Sequence, residues 1–154
     1  MHVLALIRHA IAEDRRKWSG DDDAQRPLNA KGQRQARRLA SMLPELLIDA
    51  GLKIVALRCS PAVRCVQTVE PLAATAGIVI AIDKSLMEDS EMRLPSPRQP
   101  GAHVLCAHGD NIPWALEELG VDWDERCKKG SVWLIQRDAK GRVTQAVYRV
   151  AESV

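Results

Sequence analysis

Aromatic residues are scarce in this chain of 154 residues, which contains no phenylalanine and a single tyrosine. Proteins that bind single-stranded nucleic acids without sequence preference stack the bases on aromatic side chains. Most of that stacking surface is missing here, and a formal net charge of +2 is too small to indicate a polyanion or a membrane surface as partner. We therefore expect neither a nucleic-acid partner nor a membrane partner.

Long apolar runs and paired cysteines are lacking as well. The first apolar run covers residues 3–7 and is too short for a secretory or membrane-spanning segment. The chain contains four cysteines, Cys59, Cys65, Cys106 and Cys127. They show no CxxC pair and no metal-ligand spacing, so free thiols in a reducing compartment are the expectation. These absences predict a cytoplasmic protein without a metal site.

What the sequence does contain is an alternation of strand-like and helix-like segments. A length of 154 residues with 46% hydrophobic content suits a single domain covering residues 1–154. Four apolar runs are predicted to form parallel strands, at residues 3–7, 54–57, 78–82 and 104–107. Residues 131–136 and 143–150 are predicted to form a hairpin at an antiparallel edge. The pattern predicts an α/β protein with a mostly parallel sheet of about six strands.

Capping residues predict where the helices begin. Asn29 is a suitable cap for the first helix, in which Pro44 is expected to introduce a kink. Ser60 is predicted to cap the second helix, with Pro61 at its first position, where a missing N–H costs nothing. A third helix is expected over residues 111–119.

Charged side chains follow three of the predicted strands. Arg8 and His9 end the first strand, Arg64 lies in the first turn of the helix after the second strand, and His108 follows residues 104–107. Ligands of open parallel sheets bind beyond the carboxyl ends of the strands. Guanidinium groups match phosphoryl oxygens, and a neutral imidazole can attack phosphorus. The four residues therefore predict a phosphoryl-transfer site that needs no metal and no cofactor.

Three segments around these residues resemble motifs of the histidine phosphatase superfamily, which also contains the cofactor-dependent phosphoglycerate mutases. The segments are LIRHAIAE, SPAVRCVQT and LCAHGDNIP, in the order that the family has. The resemblance implies a phosphoglycerate mutase-like three-layer sandwich. It also implies that His9 is the nucleophile, that Arg8 and Arg64 line the phosphate pocket, and that His108 lies opposite His9.

Two features are similar to the small SixA-type branch of that family. Ala10 stands where the family more often has glycine, and the long helical insertion of the mutases is absent. RPLNAKGQRQA and RCVQTVEPLA resemble the phosphatase domain that some actinobacterial Nudix hydrolases carry at their carboxyl end. The resemblance implies a phosphatase acting on a phosphorylated small molecule, including nucleotides, or on a phosphohistidine protein. A non-catalytic phosphate-sensing or partner-binding module and a phosphomutase are the alternatives.

The general acid is the least defined member of the expected site. Glu88 is the first candidate, because many family members have a glutamate after the third strand. It lies in residues 84–101, a proline-rich stretch that we expect to form a loop over the site, as we do for residues 11–27. The competing carboxylates are Glu13, Asp89, Glu91 and Asp110.

A basic segment in the first of these loops is a candidate for substrate contact. Arg15 and Lys17 could bind phosphate, and Trp18 could stack on a base. The alternative is an ordinary solvated loop, which is the simpler interpretation of this segment.

Overall fold

The computed structural model describes residues 1–152 and contains one six-stranded sheet in that range. The strands are β1 (His2–Arg8), β2 (Ile54–Cys59), β3 (Ile80–Ile82), β4 (Gly101–Ala107), β5 (Ser131–Arg137) and β6 (Val143–Val150). The helices are α1 (Ala30–Asp49), α2 (Val63–Ala76) and α3 (Asn111–Glu118). Two 3-10 turns, Asp23–Gln25 and Lys84–Leu86, interrupt the two long loops.

The sheet has the order β3-β2-β4-β1-β5-β6. The first four of these strands are parallel, and β5 and β6 are antiparallel to their neighbours. This arrangement confirms the predicted α/β fold with an antiparallel edge. In the central pair, Arg8 of β1 lies opposite Ala107 of β4, so the residues that follow both strands leave the sheet side by side.

The continuous apolar run of β1 is explained by burial on both of its faces. Val3, Ala5 and Ile7 belong to a hydrophobic cluster with α1 and α2. Leu4 and Leu6 belong to a second cluster with α3. Alternate residues of a strand point to opposite faces, so a strand between two helical layers needs apolar side chains at every position. The result is the expected three-layer arrangement.

The start of α1 follows the sequence prediction. The Asn29 side chain accepts a hydrogen bond from the Gly32 N–H at 2.8 Å, as a helix cap does. The helix continues through Pro44 to Asp49 without interruption. Within residues 1–152 no helix combines the length and the apolar character that crossing a membrane requires.

The predicted start of α2 is wrong by two residues. The helix begins at Val63, with Ala62 rather than Ser60 at the cap position. The Ser60 hydroxyl accepts the Ala62 N–H at 3.2 Å in a local turn, and it also forms a hydrogen bond of 2.9 Å with the ring of His108. Arg64 nevertheless stays in the first turn of the helix.

The strand β3 is shorter than residues 78–82. The Ile78 N–H donates to the carbonyl of Ala73 at 3.1 Å, which keeps it on the end of α2. A backbone group used to close the helix is not free to extend the sheet.

Candidate active site

One cavity of about 340 Å³ opens at the carboxyl ends of β1 and β4. The five residues expected to act in catalysis all line it: Arg8, His9, Arg64, Glu88 and His108. Six further residues complete the lining: Arg15, Arg26, Asp89, Gly109, Asp110 and Lys129. The structure thus brings together side chains from two strand ends, one helix and three loops.

His9 is buried and has a defined tautomer. Its Nδ1 lies 2.8 Å from the carbonyl oxygen of Ala10. A carbonyl only accepts hydrogen bonds, so Nδ1 carries the ring proton and Nε2 keeps its lone pair. Burial and, to a smaller extent, the charges of His108, Arg64 and Arg8 together lower the pKa of His9 to about 3, against the opposing hydrogen bond to Ala10. The ring is therefore neutral over the whole physiological range.

His108 faces His9 across the cavity. The two ring centroids are 5.3 Å apart, at an interplanar angle of 65°. The Nε2 atom of His108 lies 2.9 Å from the Ser60 hydroxyl, which fixes the ring. Its Nδ1 atom lies 3.2 Å from Glu88 Oε1, but outside hydrogen-bond geometry.

The guanidinium groups of Arg8 and Arg64 are oriented by hydrogen bonds to backbone carbonyl oxygens. Arg8 Nη1 donates to Cys127 O at 2.7 Å, and Arg64 Nη1 donates to Asp23 O at 2.8 Å. The Arg64 side chain is only 1% exposed, and its Nη2 also donates to Glu88 Oε1. Both arginines thus have a fixed orientation before any ligand binds.

Buried side-chain nitrogen atoms without a hydrogen-bond partner concentrate at this cavity. Residues 1–152 contain four of them, and three belong to its lining: Arg8 Nε, Arg64 Nε and His108 Nδ1. Leaving a buried polar group unpaired costs about 1 to 3 kcal/mol, and more for a charged group. An oxyanion bound among these nitrogens would supply the missing partners.

Thr68 supports the site and was not singled out by the sequence analysis. Its hydroxyl accepts the Ala10 N–H at 2.9 Å and donates to the Arg64 carbonyl at 2.7 Å. One buried side chain thus links the backbone beside His9 to the helix turn that carries Arg64. Its only sequence signal was its position at the end of SPAVRCVQT.

Asn111 supports the opposite wall. Its Oδ1 accepts the His108 N–H at 3.0 Å, and its Nδ2 donates to the carbonyls of Leu86 and Met87, each at 3.0 Å. These bonds attach the segment that carries Glu88 to the end of β4. The sequence indicated Asn111 only as the start of a helix and as part of the segment LCAHGDNIP.

Asp23, which the sequence did not indicate as a site residue, lies close to three arginine side chains. Its carboxylate accepts from Arg26 Nε at 2.9 Å and from Arg64 Nη2 at 3.3 Å, and it lies 3.5 Å from Arg15 Nε. The hydrogen bond from Arg26 lowers the pKa of Asp23, and the charges of the three arginines do so as well, against partial burial. The basic residues of this loop are evident in the sequence, but their ion pairs with Asp23 are not.

Only one of the three residues predicted to contact substrate lines the cavity. Arg15 lines the cavity, whereas Lys17 and Trp18 do not. The Trp18 ring lies over Gly20, where an added Cβ would be 2.1 Å from the ring carbons. Trp18 therefore packs on its own loop rather than on the cavity.

Of the candidate general acids, too, only some line the cavity. Asp89 and Asp110 line the cavity with Glu88, whereas Glu13 and Glu91 do not. Asp110 Oδ2 accepts the Asp89 N–H at 2.7 Å, so the Asp110 carboxylate is already hydrogen-bonded to the loop backbone. Glu88 is the carboxylate that contacts both Arg64 and His108.

Both the sequence and the structure are similar to those of known proteins. A sequence model of the histidine phosphatase superfamily (branch 1) matches residues 4–94. An 8-oxo-(d)GTP phosphatase of Mycolicibacterium smegmatis is 30% identical over 151 residues, which cover 86% of this chain and 44% of that protein. The chain thus spans less than half the length of this curated relative.

Solved structures share the fold at low sequence identity. The protein histidine phosphatase SixA complexed with tungstate has a TM-score of 0.76 at 15% identity and covers 98% of this chain and 97% of its own. SixA from Agrobacterium tumefaciens has a TM-score of 0.73 at 18% identity, with coverages of 94% and 96%. A phosphoglycerate mutase from Plasmodium falciparum has a TM-score of 0.60 at 16% identity, with coverages of 99% and 91%.

Proposed function

Since the chain belongs to the histidine phosphatase superfamily, we propose that it is a metal-independent phosphatase that forms a covalent phosphohistidine on His9. The observation that carries the proposal is the state of that imidazole. It is neutral, its proton is held on Nδ1 by Ala10, and its free Nε2 is in a cavity lined by Arg8, Arg64 and His108. A nucleophile for phosphorus needs a free lone pair next to cations that hold the phosphoryl oxygens.

In the first step, Nε2 of His9 attacks phosphorus and forms a P–N bond. The bond between phosphorus and the leaving oxygen breaks, and its electron pair stays on that oxygen. The guanidinium groups of Arg8 and Arg64 bind the non-bridging oxygens, with their unpaired Nε–H groups as additional donors. His108 donates to the charge that develops on the transferred group.

In the second step, the oxygen of a water molecule attacks phosphorus and forms a P–O bond. The proton that the water loses passes to the carboxylate of Glu88, which lines the same cavity. The P–N bond breaks, its electron pair returns to Nε2, and inorganic phosphate leaves. The same cations stabilise both transition states, since the same phosphoryl group is transferred twice. Because protein cations neutralise the phosphoryl oxygens, the scheme needs no metal ion.

Glu88 is the proposed source of the proton for the leaving oxygen. Its side chain is 39% exposed, so it can exchange protons with solvent while it contacts Arg64 and His108. A general acid contributes about a hundredfold to ten-thousandfold, and its contribution grows with the basicity of the leaving group.

The substitution Glu88→Gln tests that role. We expect kcat/KM for an alkyl phosphate to fall by about a hundredfold or more, and that for p-nitrophenyl phosphate to fall much less. Glu91→Gln is the matched control, because Glu91 lies in the same loop but outside the cavity lining. Equal losses for both substrates would show that Glu88 only holds Arg64, and no loss would remove it from the mechanism.

The substrates in question are phosphorylated small molecules, nucleotides among them, and phosphohistidine proteins. The name of the mycobacterial relative supports a nucleotide. A panel of nucleotides, sugar phosphates and phosphohistidine peptides, compared by kcat/KM, separates these classes.

The direct test of catalysis is His9→Ala. We expect turnover of every substrate in the panel to disappear while the circular dichroism spectrum stays that of the folded protein. Dialysis of the unmodified protein against EDTA should leave its rate unchanged. Persistent activity in His9→Ala would contradict the proposal.

A further inference from the structure

The cavity carries more positive charge than one phosphoryl group uses. Its lining has five cationic side chains against three carboxylates. The cations are Arg8, Arg15, Arg26, Arg64 and Lys129, and the carboxylates are Glu88, Asp89 and Asp110. Arg8 and Arg64 are already assigned to the transferred phosphoryl group, which leaves three cations to explain.

Two of the remaining cations have a partner within the protein. Arg26 donates to Asp23 at 2.9 Å, and Arg15 lies 3.5 Å from the same carboxylate. The ammonium group of Lys129 differs from them. It has neither a hydrogen bond nor an ion pair with any other residue in the range 1–152.

Lys129 is surrounded by like charges. Burial lowers the pKa of its ammonium group, and the nearby Arg8, Arg26, Arg15 and Arg64 lower it further. A cluster of cations without enough counter-charge creates a positive potential that attracts an anion. Asp23 pairs with Arg15, Arg26 and Arg64, and Glu88 also pairs with Arg64. No carboxylate within residues 1–152 pairs with Lys129, so an anionic ligand can supply its counter-charge.

The backbone around Lys129 is fixed to the end of β1. The Gly130 N–H bonds the carbonyls of both Arg8 and His9, each at 3.1 Å. The Lys129 carbonyl accepts from Gln35 Nε2 at 3.1 Å. Gly130 has φ +78°, and an added Cβ would lie 2.7 Å from the Gln35 side chain, so this close approach requires glycine. Lys129 is thus attached to the same strand end as the nucleophile.

We propose that Lys129 binds a second phosphate group of the substrate, directly adjoining the one that His9 attacks. The substrate class is then a phosphoric anhydride such as a nucleoside diphosphate or triphosphate. This inference rests on the proposed function and narrows its substrate range. A cavity of about 340 Å³ lies in the size range of small-molecule sites, which begins at roughly 300 Å³.

The chemistry with such a substrate remains balanced. His9 Nε2 forms a bond to the terminal phosphorus, and the bond from that phosphorus to the bridging oxygen breaks. The electron pair stays on the bridging oxygen, which leaves as part of the shortened phosphate ester. Lys129 neutralises the charge on that leaving phosphate. Water then releases inorganic phosphate from His9.

Calorimetric titration with inorganic phosphate and with pyrophosphate tests the subsite without relying on turnover. We expect the unmodified protein to bind pyrophosphate at least about tenfold more tightly than phosphate, since one added charge-assisted contact is worth about that factor. In Lys129→Gln the affinity for pyrophosphate should fall about tenfold or more, and that for phosphate no more than about threefold. Lys128→Gln, which removes the same charge outside this cavity, should keep the preference.

Other results would overturn the inference. Equal losses for both anions in Lys129→Gln would assign Lys129 to the first phosphate, and an unchanged preference would remove it from the site. The inference would also fail if the unmodified protein bound pyrophosphate no more tightly than phosphate. Loss of turnover in all forms, with the preference intact, would count against the proposed function alone, because the titration reports binding.

Discussion

At the scale of single residues, the hydroxyl of Thr68 joins the backbone beside His9 to the turn that carries Arg64. Both of its partners are buried main-chain groups. A hydroxyl can serve as donor and acceptor at once, which no apolar side chain of the same shape can do. The geometry of the proposed nucleophile therefore depends on a residue that does not touch the cavity.

The substitution Thr68→Val tests this dependence. We expect a loss of about 1 to 3 kcal/mol in the free energy of unfolding, because the Ala10 N–H loses its partner. We also expect kcat/KM to fall by about tenfold or more, since small displacements of catalytic groups are costly. Thr75→Val is the control, because Thr75 makes a similar bond to Pro71 O on an exposed surface. Equal effects of the two substitutions in denaturant titrations and assays would contradict the account.

The low pKa of His9 also predicts how stability depends on pH. The folded ring takes up a proton only near pH 3, whereas the unfolded ring does so near pH 6.5. Between these values the unfolded state binds more protons, so stability falls as the pH falls. His9 should contribute about 1.4 kcal/mol per pH unit to that decline. Denaturant titrations of the unmodified protein and of His9→Gln between pH 6.5 and 4 measure the difference, and identical slopes would contradict the assigned pKa.

At the scale of elements, the amino-terminal end of α1 and its cap residue hold the segment that follows His9. The Asn29 N–H donates to the Ile11 carbonyl at 3.1 Å, and the Ile11 N–H donates to Gln35 Oε1 at 3.0 Å. Gly32 permits this approach, because an added Cβ would lie 1.9 Å from the Ile11 carbonyl oxygen. A glycine inside a helix is here a packing requirement.

Gly32→Ala distinguishes that requirement from helix propensity. Propensity alone predicts a gain of about 1 kcal/mol, whereas the contact with Ile11 predicts a loss of about 1 to 3 kcal/mol. Thermal unfolding in the presence and absence of phosphate measures the effect. Ser41→Ala, on the exposed side of the same helix, should stay within about 0.5 kcal/mol of the unmodified protein. A stabilised Gly32→Ala variant would show that the contact has little weight.

Local signals account for the elements that the sequence predicted correctly. Asn29 was recognisable as a cap because its partner lies three residues away. Ser60 misled the prediction because its hydroxyl binds His108, a residue far along the chain. Asp23 and Lys129 escaped notice for the same reason, since their charges meet the site only through the tertiary fold.

At the scale of the whole molecule, the strand order creates the candidate site. The chain places β1 next to β4 although two helices and two strands, α1, β2, α2 and β3, lie between them in sequence. His9 and His108 thereby face each other, as the strand-end positions and the family resemblance predicted. The formal net charge of +2 conceals a local excess of cations around this cavity. Charge counted over the whole chain therefore could not reveal the predicted anion site.

The central claim is that His9 carries the phosphoryl group during turnover. Rapid quenching of the working protein in denaturant at alkaline pH, where phosphohistidine persists, followed by peptide mass spectrometry, tests it most directly. We predict one phosphate group on the peptide that contains His9, formed as fast as the first turnover and absent from His9→Ala. Turnover without any phosphorylated peptide, or with phosphate on another residue, would contradict the account.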